Sequence, residues 1–263
     1  YLDGGDGNDQ LSESSGQNTL HGGLGNDLLD VTGGTNLMTG GDGEDTLSGY
    51  AAVATMTGGA GNDVLDGGFG TYTMSGEAGE DTLYGSSMSG SMSGGVGGDL
   101  LYVQDGTGAI MSGDEDDDLI VLESGSGTML GGTGNDSMSA YMATVSMDGG
   151  DGNDIVDGEN GTYTIGGGIG DDTLYGVAFI GSMDGGSGND LLYGEEGDKV
   201  TMQGGSGDDF LQGVGGSYDM RGDEGQDTLV GDTGNDTLEG GSGNDYLDGG
   251  DGNDQLSESS GQN

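Results

Sequence analysis

Apolar residues recur along this chain at fixed distances from an aspartate, and the whole pattern repeats about every 18 residues. One aliphatic residue lies two positions after each aspartate, in the pattern L-x-[DYSV], and a second apolar residue, usually Met, lies eleven positions after most of them. Alternation over such short stretches indicates β-strands and not helices. The spacing predicts two short strands per 18-residue coil, with successive coils stacked around a shared interior.

Two ladders of inward side chains follow from this spacing. The first ladder consists of Leu11, Leu29, Leu47, Leu65, Leu83, Leu101, Ile120, Met138, Val156, Leu174, Leu192, Leu211, Leu229, Leu238, Leu247 and Leu256. The second consists of Leu20, Met38, Met56, Met74, Met92, Met111, Met129, Met147, Ile165, Met183, Met202 and Met220. The methionines offer a soft-metal site in principle, but we interpret them as flexible side chains that fill a narrow core.

The aspartates close a motif of the form G-x-G-[N/D]-D and define the register. They are Asp9, Asp27, Asp45, Asp63, Asp81, Asp99, Asp118, Asp136, Asp154, Asp172, Asp190, Asp209, Asp227, Asp236, Asp245 and Asp254. Steps between them are 18 residues, except for two 19-residue steps that end at Asp118 and Asp209 and three final steps of 9. We interpret each 19-residue step as a one-residue bulge.

Composition alone is close to that of a disordered polyanion, since 68 of 263 residues are glycine, 29% are apolar and the formal charge is −47. The periodicity favours a folded repeat instead. With no cysteine, disulfides cannot stabilise it. The only basic residues are Lys199 and Arg221, so we expect neither nucleic acid nor an anionic membrane as a direct partner.

We also predict that the chain is not an enzyme. His21 is the only histidine, and no segment separate from the repeats is available to form a pocket. Acidic residues recur in every turn, where they are better suited to bind a metal than to perform acid–base chemistry.

Two nonapeptides near the end, GGSGNDYLD (Gly240 to Asp248) and GGDGNDQLS (Gly249 to Ser257), match the pattern GGxGxDxUx in full. The chain thereby resembles the RTX calcium-binding nonapeptide repeat family over essentially its whole length. The resemblance implies an all-β fold, a right-handed parallel β-roll or β-solenoid. It also implies a bacterial protein that is exported in one step and folds outside the cell.

In that family each calcium ion lies between the turns of adjacent coils and is held by aspartates and backbone carbonyls, so the resemblance implies roughly one ion per pair of stacked turns. The sixteen aspartates given above are the candidate ligands. Calcium prefers about six to eight hard oxygen ligands, which such turns supply. Since stacked carboxylates repel one another without a cation, we expect the metal-free chain to be largely disordered.

The chain departs from the family pattern because only alternate nonapeptides keep the calcium turn through most of its length. The other half of a coil reads GTYTMSG (Gly70 to Gly76) or GTYTIGG (Gly161 to Gly167). We therefore expect calcium turns mainly along one edge. The turns that end at Asp99 and Asp118 are atypical, and their occupancy is left open.

Two longer periods are superimposed on the coil. Residues 1–18 are identical to residues 246–263, so we interpret residues 1–245 as one repeat and 246–263 as the start of the next copy in a tandem array. Thr82 to Tyr102 resembles Thr173 to Tyr193 at an offset of 91 residues, which indicates an internal duplication. We predict a single continuous roll over residues 1–263, in which the three 9-residue steps move the calcium row of the next copy to the opposite edge.

The duplication includes apolar residues at positions that should face solvent, one and three residues after an aspartate. They are Tyr84, Leu100, Tyr102, Leu119 and Val121, and in the second copy Tyr175, Leu191, Tyr193 and Phe210. Adjacent outward apolar residues are typical of a contact surface, and we predict lateral association with another roll. Cover by other chain segments, or simple β-propensity, would also explain them.

The leading hypothesis is a calcium-stabilised extracellular structural repeat, joined end to end with further copies in a filament, an extracellular matrix fibre or the stalk of a giant surface protein. An ice-binding or adhesin module built on the same roll is the alternative. Its threonine row (Thr19, Thr55, Thr73, Thr128, Thr164, Thr201) is interrupted by Leu37, Ile110 and Asp219, which disfavours a regular lattice match. A third hypothesis, a secretion-assisting segment of a toxin or protease, is disfavoured because such segments need only a few repeats.

Overall fold

Strands of the predicted alternation pair with the strands one coil away, and every pairing is parallel. The computed structural model describes residues 1–259, except for the side chain of Asp198. Throughout these residues the regular secondary structure is β-strand, which confirms the all-β solenoid. Within the same range, no helix is long and apolar enough to cross a membrane.

The chain divides into two compact units, Tyr1–Gly132 and Thr133–Asn263, and each is a stack of coils. A roll that continues through all 263 residues therefore stays a prediction. The last four residues of the terminal copy, 260–263, lie outside the described residues.

Twelve strands begin in the first unit. They are β1 Leu2–Asp6, β2 Gln10–Glu13, β3 Gln17–Leu24, β4 Leu28–Val31, β5 Gly34–Asp42, β6 Thr46–Gly49, β7 Ala52–Ala60, β8 Val64–Ala78, β9 Thr82–Val96, β10 Leu100–Glu115, β11 Leu119–Leu122 and β12 Gly125–Thr133.

The second unit contains the remaining described strands. They are β13 Ser137–Tyr141, β14 Ala143–Asp151, β15 Ile155–Glu159, β16 Thr162–Ile169, β17 Thr173–Val177, β18 Ile180–Ser187, β19 Leu191–Ser206, β20 Phe210–Glu224, β21 Thr228–Val230, β22 Thr233–Gly234, β23 Thr237–Ser242, β24 Tyr246–Asp248, β25 Asp251–Gly252 and β26 Gln255–Ser257.

Register between coils is 18 residues, as in the pairing of Leu29 with Leu47. At the two 19-residue steps the extra residue is absorbed by a register shift, within β10 between Gly106 and Ile110 and within β19 between Asp198 and Val200. Both shifts lie in the half of the coil away from the aspartate turn. The irregularity is thereby kept away from the positions that a metal would connect.

Both predicted ladders form the core. Members of the first ladder from Leu11 to Leu238 are at most 6% exposed, and members of the second are at most 1% exposed. The first ladder ends with Leu247, which is half-buried, and Leu256, which is 48% exposed. The interior thus thins towards the last described coil.

The interior also contains side chains that the two-ladder pattern did not predict. Tyr72, Tyr163 and Tyr218 lie nine residues after an aspartate and are at most 2% exposed. Their hydroxyls are satisfied inside the coil: that of Tyr72 donates to the carbonyl of Gly49 at 2.8 Å, and that of Tyr218 accepts from the N–H of Gly197 at 3.1 Å. These aromatic rings fill the half of the coil that has no aspartate turn.

In five coils the two expected strands join into one strand of 15 or 16 residues. These are β8, β9, β10, β19 and β20. The joined strands pass through the edge opposite the aspartate turn. In these coils this edge is therefore paired with neighbouring coils by backbone hydrogen bonds.

Candidate metal centre

The aspartate turns depend on glycines with positive φ. Before Asp63, Gly59 and Gly61 have φ values of 128° and 120°, a region that side chains other than glycine rarely adopt. A Cβ atom on either glycine would also collide with a carbonyl oxygen of the preceding coil, on Gly41 and Gly43 respectively. The turn backbones therefore stack closely because these positions carry no side chain.

The closing aspartates lie inside this stack and not in solvent. Those from Asp27 to Asp236 are at most 3% exposed, whereas Asp9, Asp245 and Asp254 are half-buried. Burial of carboxylates in such numbers costs free energy unless they are paired or bind a metal. The sequence motif predicted their position in the turn but not this degree of burial.

One oxygen of each buried carboxylate is used to connect coils. The N–H of Asp27 donates to Oδ1 of Asp45 at 2.7 Å, and the N–H of Asp45 donates to Oδ1 of Asp63 at the same distance. The series continues to Asp118 in the first unit and from Asp136 to Asp245 in the second, at 2.7–3.0 Å. Each carboxylate therefore reaches back to the coil before its own.

In most of these carboxylates the other oxygen is buried and has no hydrogen-bond partner. This holds for Oδ2 of Asp9, Asp27, Asp45, Asp63, Asp81, Asp99, Asp154, Asp172, Asp190, Asp209, Asp227 and Asp236. A buried carboxylate oxygen without a partner is unfavourable by about 1–3 kcal/mol or more. A row of them is the strongest indication that a cation belongs beside each turn.

The surroundings of Oδ2 supply the other ligands that calcium prefers. A Cβ atom on Gly22 would collide with Oδ2 of Asp27 and lie 2.6 Å from the carbonyl oxygen of Gly40, so both oxygens border the same small space. The same arrangement occurs at Gly167 with Asp172. Carboxylate and carbonyl oxygens together fit a hard divalent cation such as calcium.

Side chains alone do not complete a site. Within residues 1–259, no group of three or more His, Cys, Asp or Glu side chains converges to hold a metal. Backbone carbonyls would therefore have to supply most of the ligands, as the resemblance implies. The assignment of individual aspartates as ligands stays a prediction.

Burial changes the pKa values of the closing aspartates. It raises the pKa of Asp63, Asp154 and Asp190 from 3.8 to about 7, and neighbouring aspartates in the row contribute a further, smaller increase. The pKa of Asp99 and of Asp227 is raised to about 6 for the same reasons. Ionised carboxylates at these positions are disfavoured without a cation, and a bound cation would reverse this.

The residue before many of the aspartates forms a second series of contacts, in the opposite direction. Oδ1 of Asn8 accepts from the N–H of Asn26 at 3.0 Å, and Oδ1 of Asn153 accepts from the N–H of Asp171 at 2.8 Å. The motif places an asparagine or an acidic residue at this position in most turns. In the structure they also connect each turn to the coil that follows it.

The atypical turns keep the same backbone. Asp114 and Asp116 have φ values of 84° and 79°, where the preceding coil has Gly95 and Gly97. Asp114 accepts hydrogen bonds from Ser112, at 2.6 Å, and from Ser93. The carboxylate of Asp118 still accepts from the N–H of Asp99 at 2.7 Å.

A second row begins on the opposite edge near the end of the chain. The N–H of Tyr218 donates to Oδ1 of Asp236 at 2.8 Å, and the N–H of Asp236 donates to Oδ1 of Asp254 at 3.0 Å. The first row continues meanwhile from Asp227 to Asp245. The structure thus places aspartate turns on both edges here, as the 9-residue steps predict.

The candidate contact residues lie on the outer face of the strands that follow the aspartates. Leu119, Tyr175 and Phe210 are exposed, by 44%, 36% and 39%. The others are partly exposed: Tyr84, Leu100, Tyr102, Val121, Leu191 and Tyr193. Their part in lateral contact stays a prediction.

One family matches the chain by sequence. The model of the RTX calcium-binding nonapeptide repeat (4 copies) matches residues 1–20, 14–47, 30–52, 55–74, 145–165, 175–198, 201–217 and 221–256. Together these stretches cover well over half of the chain, and the unmatched stretch from 75 to 144 contains both atypical turns. No curated protein gives a significant match.

Proposed function

This chain belongs to the RTX calcium-binding nonapeptide repeat family, and from that premise we propose that it is a calcium-stabilised structural element of an extracellular filament, fibre or stalk. RTX repeats form a structural, non-catalytic kind of domain and are typical of secreted bacterial proteins. The proposal therefore assigns no catalytic role to the acidic residues.

The observation that carries the proposal is the row of buried Oδ2 atoms without partners. Each aspartate of this row would hold calcium with its Oδ2 atom, together with backbone carbonyls of its own turn and of the adjacent turn. Bound calcium supplies positive charge that neutralises the stacked carboxylates. The chain itself supplies the spacing, through glycine turns and the Oδ1 hydrogen bonds between coils.

Coupling between calcium and rigidity follows from where the aspartates lie. Each ion would connect two coils, so that binding favours the stacked state over the unfolded chain. Without calcium, 49 acidic residues against 2 basic residues oppose compaction. This coupling suits a protein that stays unfolded inside the cell and becomes stiff outside it.

A structural role in tandem copies is supported by the identity of residues 1–18 and 246–263. End-to-end partners would be further copies of the same repeat. The ice-binding alternative has less support, because the threonine row is interrupted on its outer face by Leu37 and Ile110, which are 44% and 50% exposed.

Substitution of one row member tests the proposal directly. Asp63→Asn removes a carboxylate that is 1% exposed, and we expect the loss of at least one bound calcium and a higher calcium midpoint for folding. Asp66→Asn is the matched control, because it removes the same charge from the outer face of β8, the strand that follows Asp63. Isothermal titration calorimetry and far-UV circular dichroism measure the two effects.

Two results would contradict the proposal. Equal calcium stoichiometry in both variants would remove Asp63 from the site. A full β-spectrum of the unsubstituted chain in excess chelator would show that calcium does not stabilise the fold.

A further inference from the structure

An uncharged patch interrupts the acidic surface of each unit. In the first unit it consists of two columns in register, Thr82–Leu100–Leu119 and Tyr84–Tyr102–Val121. In the second unit the columns are Thr173–Leu191–Phe210 and Tyr175–Tyr193–Gln212. We call these the two outward patches.

The tyrosines of the first patch are held in place within the chain. The rings of Tyr84 and Tyr102 stack at 5.2 Å with an interplanar angle of 6°. The hydroxyl of Tyr84 donates to Oε1 of Gln104 at 3.5 Å. A hydrogen bond to Glu123 raises the pKa of Tyr102 to about 12, so this hydroxyl stays protonated and keeps its hydrogen bond to Glu123.

The second patch repeats the design. Tyr175 and Tyr193 contact each other with ring centroids 6.2 Å apart. Beside them, Phe210 follows Leu191 in the neighbouring column. Each unit therefore presents rigid aromatic and aliphatic side chains on a flat strand face, which is the arrangement by which sheets pack against sheets at about 10 Å.

We propose that the outward patches are the face through which one folded chain associates laterally with a second copy of itself. This inference goes beyond the calcium-dependent structural role and does not depend on which residues hold the metal.

The charge distribution of the chain indicates that the partner is a second copy of the chain. The chain has 49 acidic and 2 basic residues, so two copies repel wherever their carboxylates meet. None of the twelve residues of the outward patches is charged. A basic partner would be attracted to the carboxylates elsewhere and would gain little here, whereas an identical polyanion gains most on this face.

Area sets the strength of the association. Three coils span about 14 Å, so one patch offers on the order of 200 Å², well below the roughly 800 Å² per partner of a stable interface. In the first unit the column that contains Thr82 continues to Val64 and Thr46, which are also uncharged and add to the area. We therefore expect a weak, reversible dimer.

Sedimentation velocity in saturating calcium, from micromolar to millimolar protein, tests the proposal. We expect the unsubstituted chain to dimerise reversibly. Tyr102→Ser and Tyr193→Ser should each raise the dissociation constant by ~10-fold or more, and the double variant should remain monomeric. Tyr50→Ser is the control, since Tyr50 is 55% exposed but lies outside the patches.

Several results would overturn the proposal. One is an unsubstituted chain that stays monomeric at every protein concentration while its β-spectrum and calcium stoichiometry are intact. Another is a double variant that still dimerises. A third is a Tyr50→Ser variant whose dissociation constant rises as much as those of the Tyr102 and Tyr193 variants. Vesicles of neutral phosphatidylcholine that bind the monomer through Tyr102 and Tyr193 would assign the patches to lipid instead. In each case intact calcium binding leaves the structural proposal standing.

Discussion

At the scale of single residues, an aspartate such as Asp63 meets two opposed requirements. Its Oδ1 atom accepts a backbone hydrogen bond from the preceding coil, while its Oδ2 atom is buried without a partner. The hydrogen bond to Oδ1 orients the carboxylate. The buried Oδ2 atom, which accepts no hydrogen bond, leaves the carboxylate strongly receptive to a cation. Glycine at the neighbouring position, such as Gly58 beside Asp63, is required because a side chain would collide with Oδ2.

This burial predicts an unusual pH dependence for the metal-free chain. The pKa of Asp63, Asp154 and Asp190 is about 7 in the folded state against 3.8 ordinarily. A raised pKa of an acid contributes stability that is fully present below about pH 4 and is lost as the pH rises through about 7. Metal-stripped protein should therefore gain β-structure when the pH falls from 7.5 to 5.

Far-UV circular dichroism at the two pH values measures this gain. At pH 5 the protein remains above its pI of about 4.1, which limits precipitation. With saturating calcium we expect the opposite trend, because protons compete with the metal for the same carboxylates. Identical spectra of the metal-free protein at both pH values would contradict the assigned burial.

At the scale of the coil, a large aromatic ring and a glycine share one space. The ring of Tyr218 lies against Gly213, and a Cβ atom at Gly213 would be 2.6 Å from both Cγ and Cε2 of that ring. Tyr163 has the same relation to Gly158. Glycines in these strands thus have a packing role that differs from the turn role of Gly59 and Gly61.

Gly213→Ala should destabilise the calcium-bound fold by ~1–3 kcal/mol, because the rigid ring of Tyr218 cannot move aside without strain. Gly166→Ala serves as the control, since its Cβ atom would meet nothing closer than 3.6 Å and its φ is not in the left-handed region. Its effect should stay within about 1 kcal/mol and be neutral or stabilising. Urea denaturation in excess calcium compares the two, and equal losses would contradict this packing.

At the scale of the whole molecule, the last described coils differ from those before them. The aspartates Asp227 and Asp245 lie on one edge and Asp236 and Asp254 on the other. Each 9-residue step supplies a single leucine to the interior, as with Leu229 and Leu238, and no methionine or tyrosine. This segment, residues 228–257, thus combines aspartate turns on both edges with little buried apolar surface.

Residues 228–257 should therefore be the first part of the molecule to open as calcium is lowered. Hydrogen exchange read by mass spectrometry would show their protection lost at a higher calcium concentration than that of residues 137–206. The coil at residues 1–27, which has aspartates on one edge only, controls for fraying at an end. Loss of protection at one common calcium concentration in all three segments would contradict the prediction.

Several features were predictable because they depend only on period. The alternation around Leu29 or Leu47 places one side chain inward whatever its neighbours are. The one extra residue in each 19-residue step, before Asp118 and before Asp209, had to be absorbed somewhere in its coil. The sequence also determined that Asp236 and Asp254 lie half a coil away from Asp227 and Asp245. Regular repetition turns local spacing into global register, which is why these predictions needed no coordinates.

Tertiary structure alone decided which neighbour each side chain reaches and what space it fills. Nothing in the motif indicates that Asp27 bonds to the coil before it while Asn26 bonds to the coil after it. Burial of Oδ2, and the packing of Tyr72 and Tyr218 against glycines, likewise depend on side chains about 18 residues away in adjacent coils. A repeat fixes which positions face inward, but pairing and burial are properties of stacked coils and exist only once the coils are in contact.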